Sequence, residues 1–113
     1  MKSTDYLGKI VEIKIDRPYG LRHPQHGFIY ELNYGYVPET NSPDGEELDA
    51  YYLGVKAPIS IAKGKCIAVI HRTNDNGDKL VIIPEEKDDV PNEEIEKLVH
   101  FQEKYFSHEI IRG

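Results

Sequence analysis

The chain has 113 residues, which is enough for one domain with a single hydrophobic core. Apolar residues make up 39% and charged residues 30%, as in ordinary water-soluble domains, and no apolar run approaches the ~20 residues of a membrane helix. The net charge of −6 argues against nucleic acid as a partner, because phosphate backbones are bound by clustered Lys and Arg. It does not argue against a small phosphate compound that arrives with Mg²⁺, because the metal supplies positive charge.

The start of the chain and its cysteine content predict a cytoplasmic protein. No apolar segment follows residues 1–5, so no secretory signal is visible. Cys66 is the one cysteine and cannot form an internal disulfide, and its apolar neighbours predict a buried side chain. We therefore expect no membrane partner, while the sequence leaves self-association into a homo-oligomer open.

The pattern of apolar residues predicts a mainly β structure. Gly and Pro residues predict a loop from 18 to 30, and Asn76-Gly77 predicts a tight turn within a hairpin. Five or six short strands are expected, at residues 9–15, 28–37, 50–55, 64–72 and 79–84, with Ile110 and Ile111 as a last strand or a docked tail.

One helix is predicted near the end of the chain. Asn92 is a suitable N-cap for it. The apolar stripe that follows comprises Ile95, Leu98, Val99, Tyr105 and Phe106. Together with the strands, this helix predicts an α+β fold of OB type, in which a small five-stranded barrel is covered by a C-terminal helix. Residues 1–113 are expected to form this single domain.

An acidic turn at residues 44–49 is the strongest chemical signal. Asp44, Glu46 and Asp49 lie close together in the sequence, and like charges that close repel unless a cation lies between them. Mg²⁺ and Ca²⁺ prefer such oxygen ligands, so a metal site is one interpretation and a solvated loop is the other. An EF-hand is excluded, because its sixth and twelfth positions would hold Asp49 and Val55 instead of Gly and Glu.

A second acidic turn contains Asp75 and Asp78, with Lys79 directly behind it. Taken alone, these residues are also typical of an ordinary hairpin tip. The basic loop at residues 17–26 and the tyrosines after it could reach a phosphate. The histidines lack zinc-site spacing, and no nucleophile elbow or Walker loop is present.

The segment 33–40 (Asn-Tyr-Gly-Tyr-Val-Pro-Glu-Thr), followed by Asp-Gly-Glu-Glu-Leu-Asp-Ala at 44–50, resembles the signature of the soluble family I inorganic pyrophosphatases. Residues 75–81 resemble the second acidic turn of that family, and residues 101–106 resemble its C-terminal helix motif. The similarity runs in order from about Val11 to Tyr105. This order makes the resemblance more specific than any single motif.

The resemblance implies an OB-like barrel that hydrolyses pyrophosphate to two phosphates with several Mg²⁺ ions, for which Mn²⁺ is a potential substitute. It implies that Glu46 is the base for a metal-bound water. The residues matching metal ligands are Asp44, Glu46, Asp49, Asp75 and Asp78. Such chemistry needs an acidic site for metal and a basic, hydroxyl-rich rim for phosphate.

By the same resemblance, Lys79, Tyr34 and Tyr105 match phosphate-binding residues, and Asp16 takes the place of an active-site Glu. The chain lacks a hairpin that in the family supplies an active-site arginine, and Arg17 and Arg22 are candidates to replace it. Glu46 occupies the position at which the family usually has Asp, and Phe106 occupies a position at which it often has lysine. Two alternatives therefore stay open: a hydrolase of another small phosphoanhydride, and a non-catalytic module that binds metal or phosphate.

Overall fold

Six strands and one α-helix make up the regular structure of the computed structural model, together with a short 3-10 helix at Ser3–Tyr6; the model describes residues 3–38, 47–74 and 77–113. The elements in chain order are β1 (Ile10–Arg17), β2 (Asn33–Val37), β3 (Leu48–Tyr52), β4 (Ile61–Arg72), β5 (Asp78–Ile83), α1 (Asn92–Glu103) and β6 (His108–Arg112). Within the described ranges, no helix is long and apolar enough to cross a membrane.

Five of the strands close into a barrel. They follow the order β1-β2-β3-β5-β4, and β4 returns to pair with β1. All of these pairs are antiparallel except β3–β5, which is parallel. The strand β4 is long enough to pair with β1 through residues 61–65 and with β6 through residues 68–72. The predicted OB-like barrel with one C-terminal helix is confirmed.

The core has two parts because the barrel wall has two apolar faces. Alternate residues of a strand point to opposite faces, so Leu80 and Ile82 face the barrel interior, while Val81 and Ile83 face the helix. The interior is filled by side chains from all five strands, including Ile13, which is fully buried. The helix covers this outer face of the barrel wall.

The helix begins one residue earlier than its predicted cap implies. Pro91 is the N-cap, and Asn92 is the first helical residue. The capping role predicted for Asn92 is wrong, because its side-chain oxygen accepts a hydrogen bond from Arg112 Nη1 at 3.0 Å. The helix ends at Glu103, so Tyr105 lies in the turn that leads to β6.

Several strand boundaries differ from prediction. Strand β3 begins at Leu48, two residues before its predicted start. It ends at Tyr52 because Gly54 adopts a φ of 97° that a strand does not allow. Strand β2 occupies only the last part of the predicted extended segment 28–37. The predicted final strand is present as β6, and β4 and β5 pair as the predicted hairpin. The tip of that hairpin, at 75–76, lies outside the described residues.

Asn33 and Gly35 have clear structural roles in β2. The buried amide of Asn33 donates to the carbonyl oxygens of Val55 and Ala57 at 3.3 and 3.0 Å. It thereby fixes the loop after β3. A Cβ at Gly35 would lie 1.8 Å from the carbonyl oxygen of Lys14, so only glycine lets β2 approach β1 this closely.

Candidate active site

A cavity of about 280 Å³ opens where the loop at 18–30, the barrel wall and the end of the helix meet. Its polar wall carries both signs of charge, and it is formed by Asp16, Arg17, Asp49, Arg72 and Gln102. The rest of the lining is aromatic and consists of His23, His26, Phe28, Tyr30, Tyr34, Tyr105 and Phe106. The cavity lining therefore combines a charged, polar wall with an aromatic one.

A bulge in β1 places Asp16 and Arg17 at this cavity. Ile15 pairs with Gly35 and Arg17 pairs with Tyr34, so Asp16 is an extra residue on the β1 side. Bulges bend a strand and redirect its side chains, and they are frequent next to active sites. Both predicted residues, Asp16 and Arg17, therefore line the cavity together.

The carboxyl group of Asp16 is partly desolvated, although the residue as a whole is exposed. This desolvation raises the pKa of Asp16, and the nearby guanidinium of Arg17 opposes the increase. The carboxylates of Asp49 and Glu47 raise the pKa further. Several acidic groups thus share one small region, and a bound cation would relieve their repulsion.

Asp49 and Lys79 form an ion pair beside the cavity. They are direct neighbours in the parallel β3–β5 pair, and Lys79 Nζ lies 2.6 Å from Asp49 Oδ2. The side chain of Lys79 is 8% exposed and that of Asp49 is 36% exposed. Asp49 lines the cavity, so it presents a carboxylate to the cavity while Lys79 holds it in place.

Tyr34 completes this unit. Its pKa lies well above the ordinary value, first because the ring is buried and then because Asp49 is close and hydrogen-bonded to it. Lys79 Nζ lies 5.9 Å from the centre of the Tyr34 ring. Tyr34 is therefore a neutral hydroxyl at neutral pH. The sequence predictions for Tyr34, Asp49 and Lys79 fall on residues that the structure brings together.

A buried network that reaches the cavity through Arg72 and Gln102 was not predicted from the sequence. Arg72 donates to Glu103 from Nε at 3.0 Å and from Nη2 at 2.7 Å. Tyr51 donates to the same carboxylate at 2.6 Å, and Gln102 donates to the Tyr51 hydroxyl at 2.7 Å. Burial alone would lower the pKa of Arg72, but the hydrogen bonds and negative charge of Glu103 raise it overall. The arginine is therefore charged and fixed.

Phe106 covers this arginine, with its ring centre 3.7 Å from the guanidinium carbon of Arg72. The only sequence signal for the network was the charged residue Arg72, two positions after the apolar run 66–70. Its partner Glu103 lies on the buried side of the helix and is fully buried.

Asp78 does not line the cavity. Ser3 donates to its Oδ2 at 2.5 Å, and His71 Nδ1 lies 2.6 Å from its Oδ1. Because neighbouring residues on a strand point to opposite faces, Asp78 diverges from Lys79. The structure therefore places this predicted metal ligand in a different environment from Asp49.

Of the other predicted residues, one lies at the cavity, one lies in the loop at 18–30, and three lie outside the described residues. Tyr105 lines the cavity and is 50% exposed. Arg22 does not line it, and its guanidinium donates to the carbonyl of Gly27 at 2.8 Å within the loop. Asp44, Glu46 and Asp75 lie outside the described residues. Among residues 3–38, 47–74 and 77–113, no group of three His, Cys, Asp or Glu side chains could hold a metal ion.

A sequence model of one protein family, described as "Inorganic pyrophosphatase", matches residues 10–111. The chain belongs to the inorganic pyrophosphatase family. The resemblance seen in the motifs is thereby confirmed, since the match includes both acidic turns and the helix.

Individual family members are moderately similar to this chain. An inorganic pyrophosphatase of Saccharolobus solfataricus is 30% identical over 92 residues, covering 68% of this chain and 54% of the relative. One of Pseudomonas aeruginosa is 31% identical over 92 residues, covering 68% of this chain and 53% of the relative. The chain thus spans about half the length of the curated relatives it matches.

Solved structures of the family share the fold. An inorganic pyrophosphatase from Ehrlichia chaffeensis superposes with a TM-score of 0.69 at 17% identity, covering 96% of this chain and 88% of that one. One from Neisseria gonorrhoeae gives 0.64 at 23% identity, covering 87% and 74%. At these identities the likeness supports the barrel architecture alone.

Proposed function

We propose that this protein hydrolyses inorganic pyrophosphate to two phosphates with Mg²⁺. The observation that carries the proposal is the unit of Asp49, Lys79 and Tyr34 beside Asp16 and Arg17, at the cavity of a member of the pyrophosphatase family. The unit supplies a carboxylate, a cation and a neutral hydroxyl within one small volume. This combination suits a metal-bound anionic substrate.

The donors at the cavity fit a hard divalent cation in their chemistry. Asp16 and Asp49 present carboxylate oxygens, which Mg²⁺ prefers, and the raised pKa of Asp16 reflects negative charge near it as well as desolvation. Asp44, Glu46 and Asp75, which lie outside the described residues, are proposed to complete the set. When bound, Mg²⁺ would neutralise phosphate oxygens and make a bound water more acidic. Asp78 is left out of this set because both of its carboxylate oxygens are already hydrogen-bonded.

The remaining side chains have distinct proposed roles. Arg17 lines the cavity and would bind a phosphate oxygen by a charge-assisted hydrogen bond. Tyr105 would donate a hydroxyl hydrogen bond to a phosphate oxygen, whereas the Tyr34 hydroxyl is hydrogen-bonded to Asp49 and would hold that carboxylate. Lys79 would orient Asp49 and add positive potential near the phosphate. Glu46 is proposed to take the proton of the attacking water.

The direct experiment measures phosphate release from pyrophosphate at saturating Mg²⁺ for the parent, Glu46→Gln and Glu46→Asp. Loss of a general base typically costs about 10²–10⁴-fold in rate, so Glu46→Gln should lose activity to that extent. Glu46→Asp keeps a carboxylate and should retain activity. Equal kcat for the parent and Glu46→Gln would contradict the role of Glu46. A parent with no turnover would favour the binding-module alternative.

We also propose that the protein works in the cytoplasm. Its one cysteine, Cys66, cannot form an internal disulfide, and burial raises the pKa of this thiol to about 11. A small phosphoanhydride is the proposed partner, with no nucleic acid or membrane. Self-association into a homo-oligomer is a separate question, which light scattering of the purified protein would answer.

A further inference from the structure

Four of the aromatic side chains that line the cavity are exposed or only partly buried. Tyr105 is 50% exposed, His26 is exposed, and His23 and Phe28 are half-buried. We call these four residues the aromatic rim. Buried aromatic residues such as Tyr30 and Tyr51 fill the core below them. The rim therefore adds partly exposed aromatic rings to the lining of a charged cavity.

The rings of the rim are stacked on one another. The ring centres of His26 and Tyr105 are 5.7 Å apart, with an angle of 18° between the planes. Those of Phe28 and Tyr105 are 5.9 Å apart, with an angle of 21°. A partly exposed group of near-parallel rings is a surface on which another flat ring can stack.

The loop that carries the rim is held in one shape. His23 Nδ1 accepts hydrogen bonds from the backbone N–H groups of Gln25 and His26, both at 3.1 Å. The backbone N–H of His23 donates to the carbonyl of Phe28 at 2.7 Å. Burial, His26 and Arg17 lower the pKa of His23, which favours its neutral imidazole. A platform that is fixed before binding loses little entropy when it binds a ring.

Inorganic pyrophosphate has no use for such a platform, because every part of its surface is phosphate oxygen. A compound that carries both a phosphoanhydride and a flat aromatic base would match both the charged and the aromatic side chains of the cavity. Its phosphates would lie beside Arg17 and Asp49, and its base would stack on Tyr105 and His26. Stacking of a nucleobase on an aromatic side chain is a substantial and sequence-tolerant source of affinity.

We propose that the cavity accepts a nucleoside 5′-diphosphate, with its base stacked on the aromatic rim. The inference rests on the proposed hydrolysis. In that reaction the water oxygen bonds to the terminal phosphorus, and the bond from that phosphorus to the bridging oxygen breaks. The bridging oxygen keeps the electron pair. The products are a nucleoside monophosphate and inorganic phosphate. One proton of the attacking water passes to solvent through the proposed general base, Glu46.

A matched pair of non-hydrolysable ligands tests the inference without turnover. Methylenediphosphonate and α,β-methylene adenosine diphosphate share the same P–C–P group, and only the second carries a nucleoside. Calorimetry with Mg²⁺ should show that the adenosine compound binds the parent protein about tenfold or more tightly, the scale of one stacked base. Equal affinities would overturn the inference while leaving the proposed pyrophosphate hydrolysis standing. Binding of neither compound would also overturn the inference, and phosphate release from pyrophosphate then tests the proposed hydrolysis by itself.

A pair of variants at one position shows whether the rim is responsible. Tyr105→Phe and Tyr105→Leu both lose the hydroxyl, but only Tyr105→Phe keeps the ring. Tyr105→Leu should bind the adenosine compound about fivefold or more weakly than Tyr105→Phe does, and the two variants should bind methylenediphosphonate equally. Because the side chain is half-exposed, both variants should fold, and thermal unfolding checks this. Identical affinities of the two variants for the adenosine compound would refute stacking on Tyr105.

Discussion

Lys79 Nζ lies 2.6 Å from Asp49 Oδ2, across the parallel pairing of β3 with β5. Strands β3 and β5 are separated in the chain by the whole of β4, so the ion pair forms only when these two strands pair in the sheet. The carboxylate that faces the cavity is therefore positioned by the same contacts that form the fold.

Removal of Lys79 should damage both the site and the fold. Lys79→Ala leaves Asp49 without its partner and deletes a buried side chain, so the free energy of unfolding should fall by about 1–3 kcal/mol. The KM for pyrophosphate should rise, because positive potential near the phosphate is lost. Urea unfolding and steady-state phosphate release measure the two effects. A loss of stability with an unchanged KM would make Lys79 purely structural.

Asp78 should behave as a structural residue. Asp78→Asn weakens its contacts with Ser3 and His71, so we expect a loss of about 1–2 kcal/mol in the free energy of unfolding. Its Mg²⁺ affinity by calorimetry should equal that of the parent, whereas Asp49→Asn should bind Mg²⁺ more weakly. Weakened Mg²⁺ binding with unchanged stability would instead support the role implied by the family motif.

The pair of Arg72 and Glu103 should dominate the stability of the helix on the barrel. Glu103→Gln leaves a buried guanidinium without its counter-charge, which typically costs about 3–5 kcal/mol. Glu109→Gln removes an exposed carboxylate nearby and should change the free energy of unfolding by less than about 0.5 kcal/mol. Chemical denaturation compares the two variants. Similar unfolding midpoints for both would show that the network contributes little.

The contact between His108 and Glu96 predicts a pH-dependent contribution to stability. Burial lowers the pKa of His108, but the hydrogen bond and charge of Glu96 raise it above the ordinary value of 6.5 overall. A raised folded-state pKa stabilises the fold below the unfolded-state pKa, and this contribution fades as the pH rises through the folded-state pKa. Glu96 is half-exposed, so the effect should stay below about 1 kcal/mol.

His108→Gln should therefore be less stable than the parent at pH 5.5 and closer to it at pH 8.5. Glu96→Gln should show the same pH dependence, because it removes the same interaction. The free energy of unfolding at the two pH values measures the effect. A stability difference that grows with pH would contradict the assigned sign.

The barrel was predictable because its signals are local. Alternation in β1 and the hairpin of β4 with β5 follow directly from apolar periodicity and turn residues. The extra residue at Asp16 was not predictable, because the bulge becomes visible only when β1 is paired with β2. The same applies to the end of β3 at Tyr52, which depends on the conformation of Gly54.

Residues of the candidate site were predictable only where they belong to a motif of the family. Tyr34, Asp49 and Lys79 were identified from their resemblance to the family, and the structure brings them together. Arg72 and Glu103 have no such motif, and they meet across 31 positions of the chain. The aromatic rim was missed because its loop and the turn at Tyr105 come together only after the helix packs on the barrel.

The most direct test of the account is phosphate release from pyrophosphate at saturating Mg²⁺ by the parent, Asp49→Asn and Asp88→Asn. Asp49 faces the cavity, whereas Asp88 is an exposed acid that does not line it. The account predicts turnover by the parent, a loss of about 10²-fold or more in kcat/KM for Asp49→Asn, and parental activity for Asp88→Asn. Equal activity of all three proteins, or none in the parent, would contradict it.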